Sequence, residues 1–533
     1  MNRPKFYVYL PIVFALVLIL GILIGSTFST KNPNGAMAID DNNQYSKIDQ
    51  IIKYIEDQYV DTIKTKDLVD NTITSLLSTL DPHSSYISAD ELSASNEPLQ
   101  GNFEGIGVEF NIVEDTICVI SAIQGGPSEA VGVQAGDKII MVDGKVVAGI
   151  KITNKKVMEN LKGKGGTKVK VSIMRRGKGK LLDFNITRGT IPIYSIDVAY
   201  MVSPKIGYIK ISRFGATTYD EYMQAFEKLQ SKGMQELIID LRGNGGGFLN
   251  TAVDIADEFL GDGKEIVYTI GKARPRKDYK ATKKGDFENG KLTVLIDDGS
   301  ASASEILAGA LQDNDRATII GRRSFGKGLV QEQSEFSDGS AIRLTIARYY
   351  TPTGRCIQKS YAAGVDAYYE EENNRFAKGE LENADSIKIA DSLKFTTPAG
   401  KVVYGGGGIV PDIFVALDTS GRSLYLTEVL YTGVLNDFAF EYSDKERLHL
   451  KGYKTIENFN NTFIITPAIL EDFKTYAEKN KIKRNEKEIA HSESILKNQL
   501  KALIARNIFN SEGFYQVIQG QDNVLKKAVE RMK

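Results

Sequence analysis

The sequence predicts a mixed α/β (α+β) multidomain chain: an α/β core preceded by a small β-rich module, with helical segments at both ends. Three observations carry this. From about residue 191 to 420, short β-branched runs alternate with segments of helical period, as in βαβ units. From about 100 to 190 the texture changes to short strands broken by glycine turns. Toward both ends, apolar residues recur at spacings of three and four. With 533 residues, 42% hydrophobic and 25% charged, the chain has material for several cores, and two to four domains are expected.

In chain order, Arg3 and Lys5 precede Phe6 to Phe28, a run of 23 residues without a charge. A run of that length crosses a bilayer, and its positive flank stays in the cytoplasm. The reading is an uncleaved single-pass anchor in a bacterial inner membrane, with the rest on the periplasmic side. A cleaved signal peptide is the alternative, since Ala36-Met37-Ala38 resembles a cleavage site. Residues 31–44 read as a tether. Ile48, Ile51, Ile52 and Ile55, then Leu68, Ile73, Leu76 and Leu77, mark two amphipathic helices, the second ended by Asp81-Pro82. These helices offer either a homodimer contact or packing within one chain. In the β-rich module, strands are expected at Thr116 to Ile120, Lys138 to Val142 and Lys168 to Met174, with a short helix at Ser128 to Val133. In the core, Ile206 to Ile211, Glu236 to Asp240 and Leu292 to Ile296 read as strands. Tyr219 to Ser231, Thr251 to Leu260 and Ser304 to Gln312 read as the intervening helices. Beyond Ser420 the clearest helical runs are Ala468 to Lys481 and Glu486 to Ile508. The expected divisions are 1–30 anchor or signal, 31–99 linker and N-terminal helices, 100–190 β-rich module, 191–420 core and 421–533 C-terminal helices.

Net charge is −1 and the one basic stretch, Lys272 to Lys284, reads as a mixed loop, so no nucleic-acid partner is expected. The Glu370-Glu371-Glu372 run reads as a solvated loop. Only His83, His449 and His491 occur, all far along the chain from the serines discussed below, which argues against a Ser-His-Asp triad. No His/Cys cluster has metal-ligand spacing, so neither metal nor cofactor is expected. Cys118 and Cys356 read as buried free thiols in different domains.

Chemistry concentrates in three places. Ser300-Ala301-Ser302-Ala303-Ser304-Glu305 lies between a buried strand and a packed helix, where a hydroxyl sits beside free backbone N–H groups. Ser302-x-x-Glu305 is also a capping box, and the residues alone do not distinguish Ser300, Ser302 and Ser304. Asp240-Leu241-Arg242-Gly243-Asn244-Gly245-Gly246-Gly247 follows a strand. It fits neither a dinucleotide fingerprint nor a Walker loop, but its glycines permit N–H groups to turn toward developing negative charge. Phe325-Gly326-Lys327-Gly328 holds a lysine among glycines and hydrophobes. Burial would lower its pKa, and Arg322 or Arg323 would lower it further if close, so that a neutral amine takes a serine proton.

Gly105-Ile106-Gly107-Val108, followed by Gly125-Gly126-Pro127-Ser128 and Gly132-Val133-Gln134-Ala135-Gly136-Asp137, resembles a PDZ domain. In that reading Gly105 to Val108 hold a terminal carboxylate, and the strand after them pairs with an extended peptide. Together with Leu80-Asp81-Pro82-His83-Ser84, the serine cluster and Gly326-Lys327-Gly328-x-x-Gln331, this resembles the C-terminal processing peptidases, family S41, over roughly residues 45 to 417. The resemblance implies a ClpP/crotonase-like α/β serine protease core with an upstream PDZ module. It implies an exported, membrane-anchored serine endopeptidase that recognises C-terminal tails of protein substrates. It further implies Ser302 as nucleophile, Lys327 as base and Gln331 in support, with Ala303 and Gly246 as oxyanion donors. Gly245 stands where the family pattern has proline, and Gly405 to Asp412 read as structural. The rival reading is an inactive PDZ scaffold that binds C-terminal peptides.

Overall fold

The computed structural model describes residues 13–22 and 46–533, apart from Gln124 and Lys284. The expected anchor and the Ala36-Met37-Ala38 site therefore lie wholly or mostly outside the described residues. Residues 13–22 are helical with exposed side chains, and no helix among the described residues is long and apolar enough to cross a membrane. Residues 46–75 hold the helix Ser46–Gln58 and most of Thr65–Ser78. The first presents Ile48, Ile51 and Tyr54 outward, and Thr65 donates to Glu56 Oε1 at 2.8 Å.

In the remainder, the core is built on a six-stranded sheet, in the order Ile196–Met201, Ile206–Ile211, Glu236–Asp240, Lys291–Ile296, Thr318–Gly321 and Ile413–Phe414. The first pair is antiparallel and the other pairings are parallel. Ile238, Ile239, Val294 and Leu295 are fully buried, as continuous apolar runs in a covered parallel sheet must be. The helices Thr218–Gln230, Leu249–Asp257 and Ala303–Asp313 cover one face, and all of the last is buried.

A second, antiparallel sheet of Ser85–Ile87, Ala341–Tyr350, Glu265–Gly271, Arg274–Lys280 and Leu329–Glu335 was not anticipated. It corrects the loop expected at Lys272 to Lys284. Arg274–Lys280 is an edge strand whose alternating cations face solvent or aromatic rings, Arg276 lying 3.6 Å above Tyr268. Glu370 to Glu372 likewise belong to a helix, Val365–Ala377, because Glu371 is drawn in by Lys359, Arg323 and Arg375.

The β-rich module is a sheet ordered Val108–Val113, Thr116–Ala122, Lys138–Val142, Lys168–Met174 and Leu182–Thr187, with Val108–Val113 at an open edge. The helix Asn154–Leu161, capped by Thr153, contributes Val157 and Leu161 to its core. Cys118 is buried and Cys356 half-buried, and both are free thiols.

The C-terminal helices pack around Phe438, Phe459 and Phe473. Helix Glu486–Ile518 runs past the expected end at Ile508 after a break at Phe509 and Asn510. It reaches the β-rich module through an Arg506–Glu109 ion pair. The last helix, Asn523–Met532, lays Val524, Leu525, Ala528 and Met532 against Tyr208, Ile238, Leu295 and Ile320, closing the other face of the six-stranded sheet.

Candidate functional site

The strand Lys291–Ile296 delivers the chain to a turn stitched to the glycine loop. Asp297 Oδ1 accepts from Gly243 N at 2.8 Å, and the Ser300 hydroxyl donates to the Leu241 carbonyl at 2.8 Å. The Asn244 carbonyl accepts from Ala301 N at 3.0 Å and from the Ser304 hydroxyl at 2.8 Å. Ser300 and Ser304 are fully buried by these bonds, whereas Ser302 is half-buried and lines a cavity of about 600 Å³. The sequence alone could not separate the three serines; their surroundings do.

Ser302 has φ 55° and ψ −113°, a conformation that a side-chain-bearing residue holds only when its neighbours enforce it. The enforcement comes from Glu305, fully buried in the next turn. Its carboxylate accepts from Ser302 N at 2.9 Å, the carboxylate half of the expected capping box, and from Lys327 N at 2.8 Å. It also accepts from Gly326 N at 2.7 Å and from the Ser324 hydroxyl at 2.5 Å. Burial pushes the Glu305 pKa up, opposed by these four donors. One carboxylate thus holds the serine turn and the lysine loop in fixed relation. The Tyr349 hydroxyl, buried above them, lies 2.6 Å from the Lys327 carbonyl and 3.1 Å from that of Ser302.

Lys327 lines the same cavity and donates to Gln331 Oε1 at 2.9 Å, while Gln331 Nε2 donates to the His83 carbonyl. Burial lowers the lysine pKa, Glu305 and Asp81 oppose this, and Arg343 adds to the lowering. The direction is as expected, but the neighbouring cation is not. Arg322 is turned to Asp298 and Arg323 to Glu380, each held there by a carboxylate. Asp81 accepts from the backbone of His83 and Ser84 and from the Ser84 and Thr345 hydroxyls, so the Leu80-to-Ser84 motif fixes the acceptor for Gln331. The His83 ring contacts the Tyr368 hydroxyl at 2.8 Å. Its pKa is pushed down to about 4, by burial first and then by the Lys327 charge.

Gly246 packs directly on this turn. A Cβ there would stand 2.7 Å from Ser302 Cβ and 2.9 Å from Ala303 N. Its N–H, expected as an oxyanion donor, is instead bonded to Asn244 Oδ1 at 2.8 Å, because the buried Asn244 is anchored by its own Nδ2 to the Ile211 carbonyl. The N–H of Ala303, the first residue of the helix, has no protein partner among the described residues. Asn244, Tyr349 and the His83 carbonyl were not assigned roles from sequence, and Glu305 was assigned only its cap and not its hold on the lysine loop. Glu305 and His83 stood inside motifs that were noticed, whereas Tyr349 carried no local signal.

Gly105, Ile106, Gly107 and Val108 lie apart from this cavity, at the start of the open edge strand. The Ile106 carbonyl accepts from Ser128 N and Oγ, and the Gly107 carbonyl accepts from Ile123 N, so the loop's carbonyls are engaged by the module itself.

An α/β core with a strained serine turn fixed to a half-buried lysine is the build of a serine-type hydrolase. The Peptidase family S41 model matches residues 205–369, a PDZ domain model matches 105–187, and a family of unknown function matches 425–510. The Carboxy-terminal-processing protease of Bartonella bacilliformis is 38% identical over 334 residues, 61% of this chain and 76% of that protein. The Carboxy-terminal processing protease CtpA of Bacillus subtilis is 34% identical over 345 residues, 64% of this chain and 72% of that protein. Among solved structures, a photosystem II D1 C-terminal processing protease matches at 26% identity and TM-score 0.36, covering 70% of this chain and 87% of that one. The chain belongs to the carboxy-terminal processing proteases of peptidase family S41, and it is a serine-type endopeptidase with a PDZ domain.

Proposed function

We propose that this endopeptidase cleaves protein tails with Ser302 as nucleophile and Lys327 as general base. The observation that carries the reading is that Ser302, alone of the three clustered serines, opens onto the cavity that Lys327 also lines. The neutral lysine amine takes the Ser302 proton as Oγ bonds to the scissile carbonyl carbon, and returns it to the leaving amine. The acyl-enzyme is then hydrolysed by water activated by the same amine, and the proton passes back to Ser302. Gln331 steers the amine by accepting one of its hydrogens. The Ala303 N–H receives the oxyanion, which competes with Asn244 Oδ1 for the Gly246 N–H.

The PDZ domain supplies the tail. An open edge strand invites a peptide strand, and the Gly105-to-Val108 loop at its start receives the terminal carboxylate. Residues 6–28 anchor the enzyme, which works on the extracytoplasmic side of a bacterial membrane. The test is Ser302→Ala. It should abolish cleavage of an unfolded protein while leaving C-terminal peptide binding intact, and cleavage at the wild-type rate would end the proposal.

A further inference from the structure

Arg343 sits on the strand Ala341–Tyr350, opposite Gln333 and Ser85, and its side chain reaches the cavity shared by Ser302 and Lys327. Its guanidinium is held by neutral acceptors only. Gln333 Oε1 takes Nε at 3.1 Å, and Asn96 Oδ1 and the Ser95 carbonyl take Nη2 at 2.8 and 3.5 Å. Four buried or half-buried arginines of the core are each paired with a carboxylate. Arg242 meets Asp240 and Asp522, Arg322 meets Asp298, Arg323 meets Glu380, and Arg355 meets Asp313. Arg343 forms no such pair among the described residues, although Glu335 lines the same cavity, and its charge lowers the pKa of Lys327.

An arginine drawn out of water without a carboxylate is costly, and burial pulls its own pKa down. With Nε and Nη2 engaged, Nη1 makes no hydrogen bond among the described residues, and its N–H groups remain for a carboxylate. Substitution of the position for stability alone would favour an apolar or amide side chain. Fixing a guanidinium in place by three neutral acceptors, with its charge left open toward the cavity, is the arrangement of a receptor.

We propose that Arg343 is a specificity residue that receives a carboxylate of the bound peptide near the scissile bond. The carboxylate comes from an acidic side chain or from the terminus of the chain being cut. The proposal rests on the assignment of Ser302 and Lys327 to this cavity.

The test uses the full chain and three peptides of equal length. The first is neutral with an amidated end, the second has the same sequence with a free terminal carboxylate, and the third is amidated with a glutamate moved through the positions flanking the cut. Wild type should prefer the second peptide, or one register of the third, over the first by about 10- to 100-fold in kcat/KM, the range of a charge-assisted hydrogen bond. The peptide whose preference Arg343→Gln removes identifies the source of the carboxylate, since the Gly105-to-Val108 loop also receives a terminal carboxylate. Arg343→Gln should bring that preference to within about two-fold of unity, and Arg343→Lys should restore part of it. Ratios are compared because loss of the Arg343 charge also shifts Lys327 and so changes all rates together. A wild type without preference, or an Arg343→Gln variant that keeps it, overturns the proposal while Ser302→Ala stays inactive. Activity in Ser302→Ala would instead overturn the assignment of the cavity, and this proposal with it.

Discussion

Gly246→Ala tests the site at its tightest point. Gly246 has φ +101°, and an added Cβ would lie 2.7 Å from the Ala301 carbonyl oxygen, 2.7 Å from Ser302 Cβ and 2.9 Å from Ala303 N. Non-bonded carbons rest at about 3.5–4.0 Å, so the glycine loop and the serine turn must part by about 1 Å. Left-handed backbone adds about 1–2 kcal/mol for a residue with a side chain. The separation moves a candidate oxyanion donor away from Ser302, the proposed nucleophile, and such a loss costs about 10²–10³ in rate. Hydrolysis of a fluorogenic peptide should therefore show kcat reduced by about 10²–10³, with KM little altered and a lower melting temperature. Gly245→Ala is the matched control, since nothing lies within 4 Å of its added Cβ. If Gly246→Ala kept kcat within about threefold of wild type, the geometry assigned to Ser302 and the loop would be wrong.

Three further outcomes are expected. The proposed base, Lys327, can take a proton only when neutral, so kcat/KM should climb as pH rises through its pKa and level off above it. That limb should fall below the ordinary lysine value of 10.5, burial being the main cause; a profile without any basic-side rise would remove the lysine from the mechanism. Glu305→Gln replaces an acceptor oxygen by a donor facing backbone N–H groups, and should destabilise the protein by about 2–4 kcal/mol in denaturant titration. An unchanged midpoint would show that the four hydrogen bonds do not hold the turn. Gly107→Ala places a Cβ 2.8 Å from Ile191 Cδ1 at φ +73°, and should weaken C-terminal peptide binding about tenfold by fluorescence anisotropy. Equal affinity would move the peptide site elsewhere on the PDZ domain.

Three strands of the six-stranded sheet and the helices beside them were legible because each carries its own period, whereas Ile196–Met201, Thr318–Gly321 and Ile413–Phe414 were not read as strands. Ile206–Ile211 and Glu236–Asp240 begin and end at the residues expected for them. The second sheet was not legible, since its Arg274–Lys280 strand is almost wholly charged and Ser85–Ile87 pairs with a strand more than 250 residues later. The site divided in the same way. Ser302, Lys327 and Gln331 sit in compact motifs. The groups that position them come from distant places: Glu305 bonds residues about twenty positions on, and the His83 carbonyl meets Gln331 across 248 residues. Arg343 carried no motif, and what sets it apart is that it lines the cavity of Ser302 and Lys327 with no carboxylate paired to it among the described residues. The glutamate run misled because its environment, three cations around Glu371, is assembled by the fold.

The glycine loop is braced from far away. Arg242, two residues past the buried Asp240, reaches Asp522 at the head of the last helix, 280 positions along the chain. Synthesis runs in one direction, so a growing chain presents its serine, its lysine and its glycine loop long before that helix exists. Until Asn523–Met532 arrives, Tyr208, Ile238 and Leu295 lack the cover of Val524, Leu525 and Ala528, and Arg242 lacks its second carboxylate. The outer face of the sheet and the brace on the glycine loop are therefore completed by the last segment of the fold to be made.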